Sequence, residues 1–133
     1  MKYLPTIARI LLGLLFFGAG LAGFLVTPPP PDGTTPEQAL AFSTAMMNTG
    51  YLFQLVKGTE VVCGALLLIN CFTPLALTIL APIILNIVAF HGVLWPDPTS
   101  MITCAVMVAL ELYLAWCYRS AFKPMLRLKT PVG

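Results

Sequence analysis

Charge is what this sequence has least of. Only 9% of its 133 residues are Asp, Glu, Lys or Arg, against about 25% in an ordinary soluble domain. So few charges cannot solvate a whole surface, which excludes an ordinary water-soluble domain. The net charge of +2 is divided along the chain by apolar runs and gathers on no single patch, so no nucleic-acid partner is expected. Histidine occurs once and cysteine four times, and no two cysteines stand in a Cys-x-x-Cys pair. Zinc-type spacing is missing, and a dithiol relay has no support. Cys63, Cys71, Cys104 and Cys117 read as small packing residues. A P-loop, a Rossmann glycine pattern, a haem ligand pair and a flavin motif are missing as well, so no metal or cofactor is assigned from a motif.

What is there is apolar: 59% of the residues are hydrophobic. They fall into four long runs, about 4–26, 51–70, 74–95 and 100–118, each near the length that crosses a hydrocarbon core about 30 Å thick. The chain is therefore expected to be all-α, a polytopic four-helix transmembrane bundle forming one membrane domain over 1–133. The opening Met-Lys and apolar run has some features of a signal peptide, with Gly20-Leu21-Ala22 as a weak cleavage site. Arg9 and the length of the run argue against cleavage. Between the first two runs, Pro28 to Pro31 ends the first span in a stiff extended segment. Thr35-Pro36-Glu37-Gln38 then predicts a helix start, with Thr35 as N-cap and Gln38 completing a capping box. The helix over about 36–47 is too short to span. It is expected at the interface, folded over the mouth of the bundle.

The few polar groups inside the runs are the informative ones. Arg9 shares a stripe with Gly13, Phe16, Gly20 and Gly23, so it lies on the packed face of the first span, as an ion-pair partner or as a side chain snorkelling to the interface. Lys57 and Glu60, three apart in the second span, are close enough to pair. Pro82 predicts a bend one turn before Asn86. Asn86 and His91 are five residues apart, roughly 140° around a regular helix, and can share a site only if it is broad or the helix is irregular. Glu111 lies near the middle of the fourth span, where a free carboxylate is costly. A structural ion pair between Arg9 and Glu111 is the expected solution.

Lys2 and the basic residues of the 119–133 tail fall on one side of four spans, and Asp32, Glu37 and Asp97 on the other. The positive-inside rule puts both termini in the cytoplasm of a bacterial-type inner membrane. Counted from the outer ends, Lys57 and Glu60 are then about 9 and 14 Å deep, Asn86 about 13 Å, Glu111 about 16 Å and His91 about 6 Å. These groups fall in one outward-facing layer. The expected site is a pocket between the second, third and fourth spans, with Lys57, Glu60, Asn86, His91 and Glu111 as ligand-binding residues and His91 and Glu60 handling protons.

Ala8-Arg9-Ile-Leu-Leu-Gly13-Leu-Leu-Phe, Thr49-Gly50-Tyr51, Lys57-Gly-Thr-Glu60, Ala81-Pro82 through Asn86, Phe90-His91 and Tyr118-Arg119-Ser-Ala-Phe122 resemble the DoxX family over nearly the whole chain. The resemblance implies a small four-span inner-membrane protein, associated in this family with thiosulfate:quinone oxidoreductase and other membrane oxidoreductase complexes. It transfers no catalytic residue set, and fold analogy does not settle function. Two classes of function fit. One is binding of a quinone or other lipid-soluble molecule, with electrons supplied by a partner oxidoreductase subunit. The other is a non-catalytic membrane subunit or assembly factor whose charges are structural ion pairs. A transporter would need a homo-oligomer to build a pathway. Membrane lipid is a partner in every case.

Overall fold

The computed structural model of the chain describes residues 2–26 and 31–133; the expected extended segment at Pro28–Pro31 lies mostly outside them. The described residues are helical, without strands: α1 (Leu4–Leu25), α2 (Glu37–Asn48), α3 (Leu52–Leu68), α4 (Thr73–Ala89), a π-turn (Phe90–Leu94) that continues α4, α5 (Pro98–Cys117) and a short α6 (Arg119–Phe122). α1, α4 with its π-turn, and α5 are each long and apolar enough to cross a membrane. α3 has 17 residues, about 25 Å at the helical rise, and completes the bundle as its shortest member. The helices close into a ring in which α1 packs on α3, α3 on α4, α4 on α5 and α5 back on α1. The chain is a polytopic helical membrane protein.

Leu12, Phe16, Leu67, Leu77, Leu80 and Leu114 fill the centre of the ring, while Leu14, Leu55, Leu85 and Leu112 face outward. Apolar residues on both sides are what a lipid-solvated bundle requires. The tightest contact is between α1 and α3, where small residues bring backbone against backbone. A Cβ on Gly64 would stand 2.5 Å from the Phe17 amide nitrogen, and one on Gly20 would stand 2.9 Å from the Lys57 carbonyl.

Where α3 ends, Asn70 takes a left-handed conformation with φ 57°. Its amide bonds the Leu67 carbonyl and the Cys71 amide bonds that of Leu66, a Schellman closure in which Asn substitutes for the usual glycine. α5 starts at Pro98, two residues earlier than the expected span, because Asp97 caps it. The Asp97 carboxylate accepts from the Ser100 amide at 2.9 Å and the Ser100 hydroxyl at 3.1 Å. Those bonds hold its pKa below the usual carboxylate value.

α2 differs from expectation at its start. No side chain caps it, and it begins at Glu37 after an extended Pro36. The expected capping box is therefore not formed. The turn just before it is held instead by Asp32, which accepts from the Thr34 amide and hydroxyl. α2 is bent 89° from α3 across the turn at Gly50, whose φ is +79°. The Thr49 hydroxyl ties the corner together, donating to the Met46 carbonyl and accepting from the Leu52 amide. α2 thus lies across one end of the bundle and packs on α3 and the π-turn.

Candidate functional site

The site begins with the break in α4. Pro82 has no amide hydrogen to give the preceding turn, and the helix leaves α-helical bonding two turns later. At the end of the π-turn the Trp95 amide reaches the Phe90 carbonyl, five residues back, which widens the helix. α-Helical bonding runs on to Phe90, so the angular difficulty posed by the Asn86–His91 spacing is met by the breadth of the site. Both residues line one cavity of about 580 Å³.

The cavity lies between α2, α3 and the α4–π-turn segment. Phe42 and Met46 come from α2, Phe53, Lys57 and Glu60 from α3, and Pro82, Asn86, Phe90 and His91 from the third span. Its walls are mainly aromatic and aliphatic, with a few polar groups among them. Four of the five expected ligand-binding residues meet here: Lys57, Glu60, Asn86 and His91. Lys57 Nζ bonds Glu60 Oε2 at 3.0 Å, with the carboxylate side chain only 3% exposed. The pair lies within one helix, so it neutralises two charges without bridging helices. The lysine stem packs on α1, where a Cβ on Gly23 would stand 2.6 Å from Lys57 Cδ. His91 packs edge-on against Phe90, with ring centres 5.1 Å apart. Its Nδ1 is buried without a hydrogen-bond partner among the described residues.

Glu111 is not part of this cavity, and α5 supplies none of its wall. The cavity is walled by α2, α3 and the third span, while α5 packs on α1 and on the other side of α4, so Glu111 is outside it laterally as well as in depth. Counted from Pro98, Glu111 lies about 20 Å from the α2 end of the bundle, whereas Glu60, counted from Leu52, lies about 12 Å from it. Glu111 is buried with one oxygen lacking a partner among the described residues. The expected Arg9–Glu111 ion pair does not form either. Arg9 is buried, and its guanidinium donates instead to the carbonyls of Leu67 and, at 3.2 Å, Leu68. The last carbonyls of a helix lack intrahelical donors and carry the negative end of its dipole. The end of α3 therefore takes the cation that Glu111 was expected to hold.

Sequence reasoning missed the wall contributed by α2, which it treated only as a cap. Phe42 and Met46 are four apart and share a helix face, a signal that was available. Phe42 packs against Phe90 with ring centres 5.4 Å apart, a contact between elements that no local pattern announces. Among known proteins, a family model described as DoxX matches residues 4–92. That stretch includes Lys57, Glu60, Asn86 and His91 and ends before α5. No curated protein and no solved structure matches the chain.

Proposed function

The chain belongs to the DoxX family, and from that premise we propose that its cavity binds a quinone or another lipid-soluble small molecule as part of a membrane oxidoreductase system. The observation that carries this reading is the cavity of about 580 Å³ whose apolar walls hold convergent polar groups, the usual composition of a small-molecule site. His91, which lines the cavity, supplies the hydrogen-bonding tip for a ligand oxygen. Asn86 supplies a second tip. Glu60, held by Lys57, is the carboxylate within reach of a proton-handling role, and electrons come from a partner subunit. The basic tail and the acidic α2 end orient the bundle with both termini in the cytoplasm of an inner membrane and the cavity facing outward.

A second reading is favoured by the 3.0 Å Lys57–Glu60 bond: a non-catalytic subunit or assembly factor whose buried charges are structural. Binding and stability separate the two. His91→Ala is expected to weaken binding of a benzoquinone at least about tenfold, the scale of one lost hydrogen bond to a buried group, with an unchanged melting temperature. Calorimetric titration in lipid nanodiscs measures the first and a melting curve the second. No heat of binding to the wild-type protein would leave the structural reading standing.

A further inference from the structure

A second, smaller hollow of about 240 Å³ adjoins the cavity and shares Phe42, Asn86 and Phe90 with it. Its remaining wall is Ala89, Val93 and Leu94. These residues carry it away from the bundle interior: Leu85 and Val93, on the same face as Ala89, are 72% and 75% exposed. In a membrane bundle that face meets lipid. The two hollows meet at the tilted Phe42–Phe90 pair, and the smaller one is an apolar groove on the outer surface of the third span. Asn86 stands at the junction, exposed, and makes no side-chain hydrogen bond among the described residues. An amide left bare on a lipid-facing surface is costly, so the junction suits a polar atom of a ligand.

Charge narrows the ligand class. Lys57 and Glu60 neutralise each other across 3.0 Å, and no other Lys, Arg, Asp or Glu lines the cavity. A charged headgroup would enter without a counter-ion. A neutral head with one or two oxygens meets Asn86 and His91 with no such cost.

Building on the ligand reading above, we infer that the ligand is a neutral amphiphile whose head lies in the cavity against Asn86 and His91 and whose apolar tail leaves sideways between Phe42 and Phe90. The tail follows the groove along Ala89 and Val93 into the bilayer. The ligand therefore reaches the site from within the membrane, and the aromatic pair is the gate it passes.

The test uses the full chain in phosphatidylcholine nanodiscs, with empty discs subtracted. The probes are trimethyl-1,4-benzoquinone and the same ring bearing a decyl tail. Ala89→Phe fills the groove from an exposed position outside the cavity. It is expected to weaken the tailed probe at least about tenfold, the order of a steric misfit in a packed site, and to leave the tail-less ring within about twofold. A diazirine near the ring end of the tail supplies an independent readout. On irradiation of the wild-type protein it should label the Ala89–Leu94 peptide. Equal effects on both probes, or labelling confined to another helix, would overturn the lateral route while leaving the ligand site in place. Binding of neither probe to wild-type protein would overturn both. Tight binding of decyl phosphate in preference to the neutral ring would overturn the neutral-head assignment.

Discussion

Each buried polar side chain in this bundle has a different solution to the same problem, and the solutions differ in what they leave available. Lys57 and Glu60 satisfy one another along a single helix turn. Arg9 donates to the Leu67 and Leu68 carbonyls at the end of α3. His91 Nδ1 and Glu111 Oε2 find nothing among the described residues. That contrast predicts opposite outcomes for two substitutions. Arg9→Gln removes the guanidinium donor from the Leu68 carbonyl and from the Leu67 carbonyl, which keeps its bond from the Asn70 amide, and is expected to destabilise by about 1–3 kcal/mol, the cost of a buried hydrogen bond lost. Glu111→Gln removes a buried carboxyl with no cation beside it and is expected to leave the melting temperature at or above wild type. Melting curves in one detergent check both; a large loss in Glu111→Gln would restore the discarded ion pair. The presence of each polar residue was legible in the sequence. The partner of Arg9 was not, because helix-end carbonyls leave no mark in a side-chain pattern.

At the scale of elements, α1 and α3 form the tightest seam and the third span is the irregular member. The glycine stripe of α1 was visible at helical spacing, and the structure sets Gly20 against α3 backbone and brings Gly64 of α3 against Phe17 of α1. Gly64→Val and Gly20→Val are expected to cost about 1–3 kcal/mol each, since backbone cannot yield as a side chain can. Gly18→Ala and Gly58→Ala, which meet nothing within 4 Å, are expected to be neutral or slightly stabilising through helix propensity. Equal effects in the two sets would mean that the helices pack through other faces. Proline chemistry placed an irregularity at Pro82, but α4 runs as one helix through it to Ala89. The π-turn at Phe90–Leu94 could not be anticipated, because its bonding is chosen by how the widened turn packs against α2 and α5.

For the whole molecule the open quantity is orientation. Lys2, Arg119, Lys123, Arg127 and Lys129 gather at the end of the bundle opposite α2, while Asp32, Glu37 and Asp97 lie at the α2 end. The positive-inside rule then predicts that a phosphatase reporter fused after Asp97 is active and one fused after Lys129 is silent, with a fluorescent cytoplasmic reporter giving the reverse. An active phosphatase after Lys129 would turn the cavity toward the cytoplasm and change which side supplies its protons.

Hydropathy and proline placement alone determined that the chain is helical, that it has three to four runs able to cross a membrane, and that a short helix separates the first two. These follow because lipid permits few ways to satisfy a backbone and because run length is a local property. Spacing along single helices also paired Lys57 with Glu60. Only the tertiary structure decided which groups from different helices meet. α5 stands outside the cavity wall, which leaves Glu111 out of it, and the carbonyls at the end of α3 take the Arg9 guanidinium. A sharp corner at Gly50 brings Phe42 onto Phe90. Such contacts depend on register, helix angle and competition between partners, none of which is written in the periodicity of one segment.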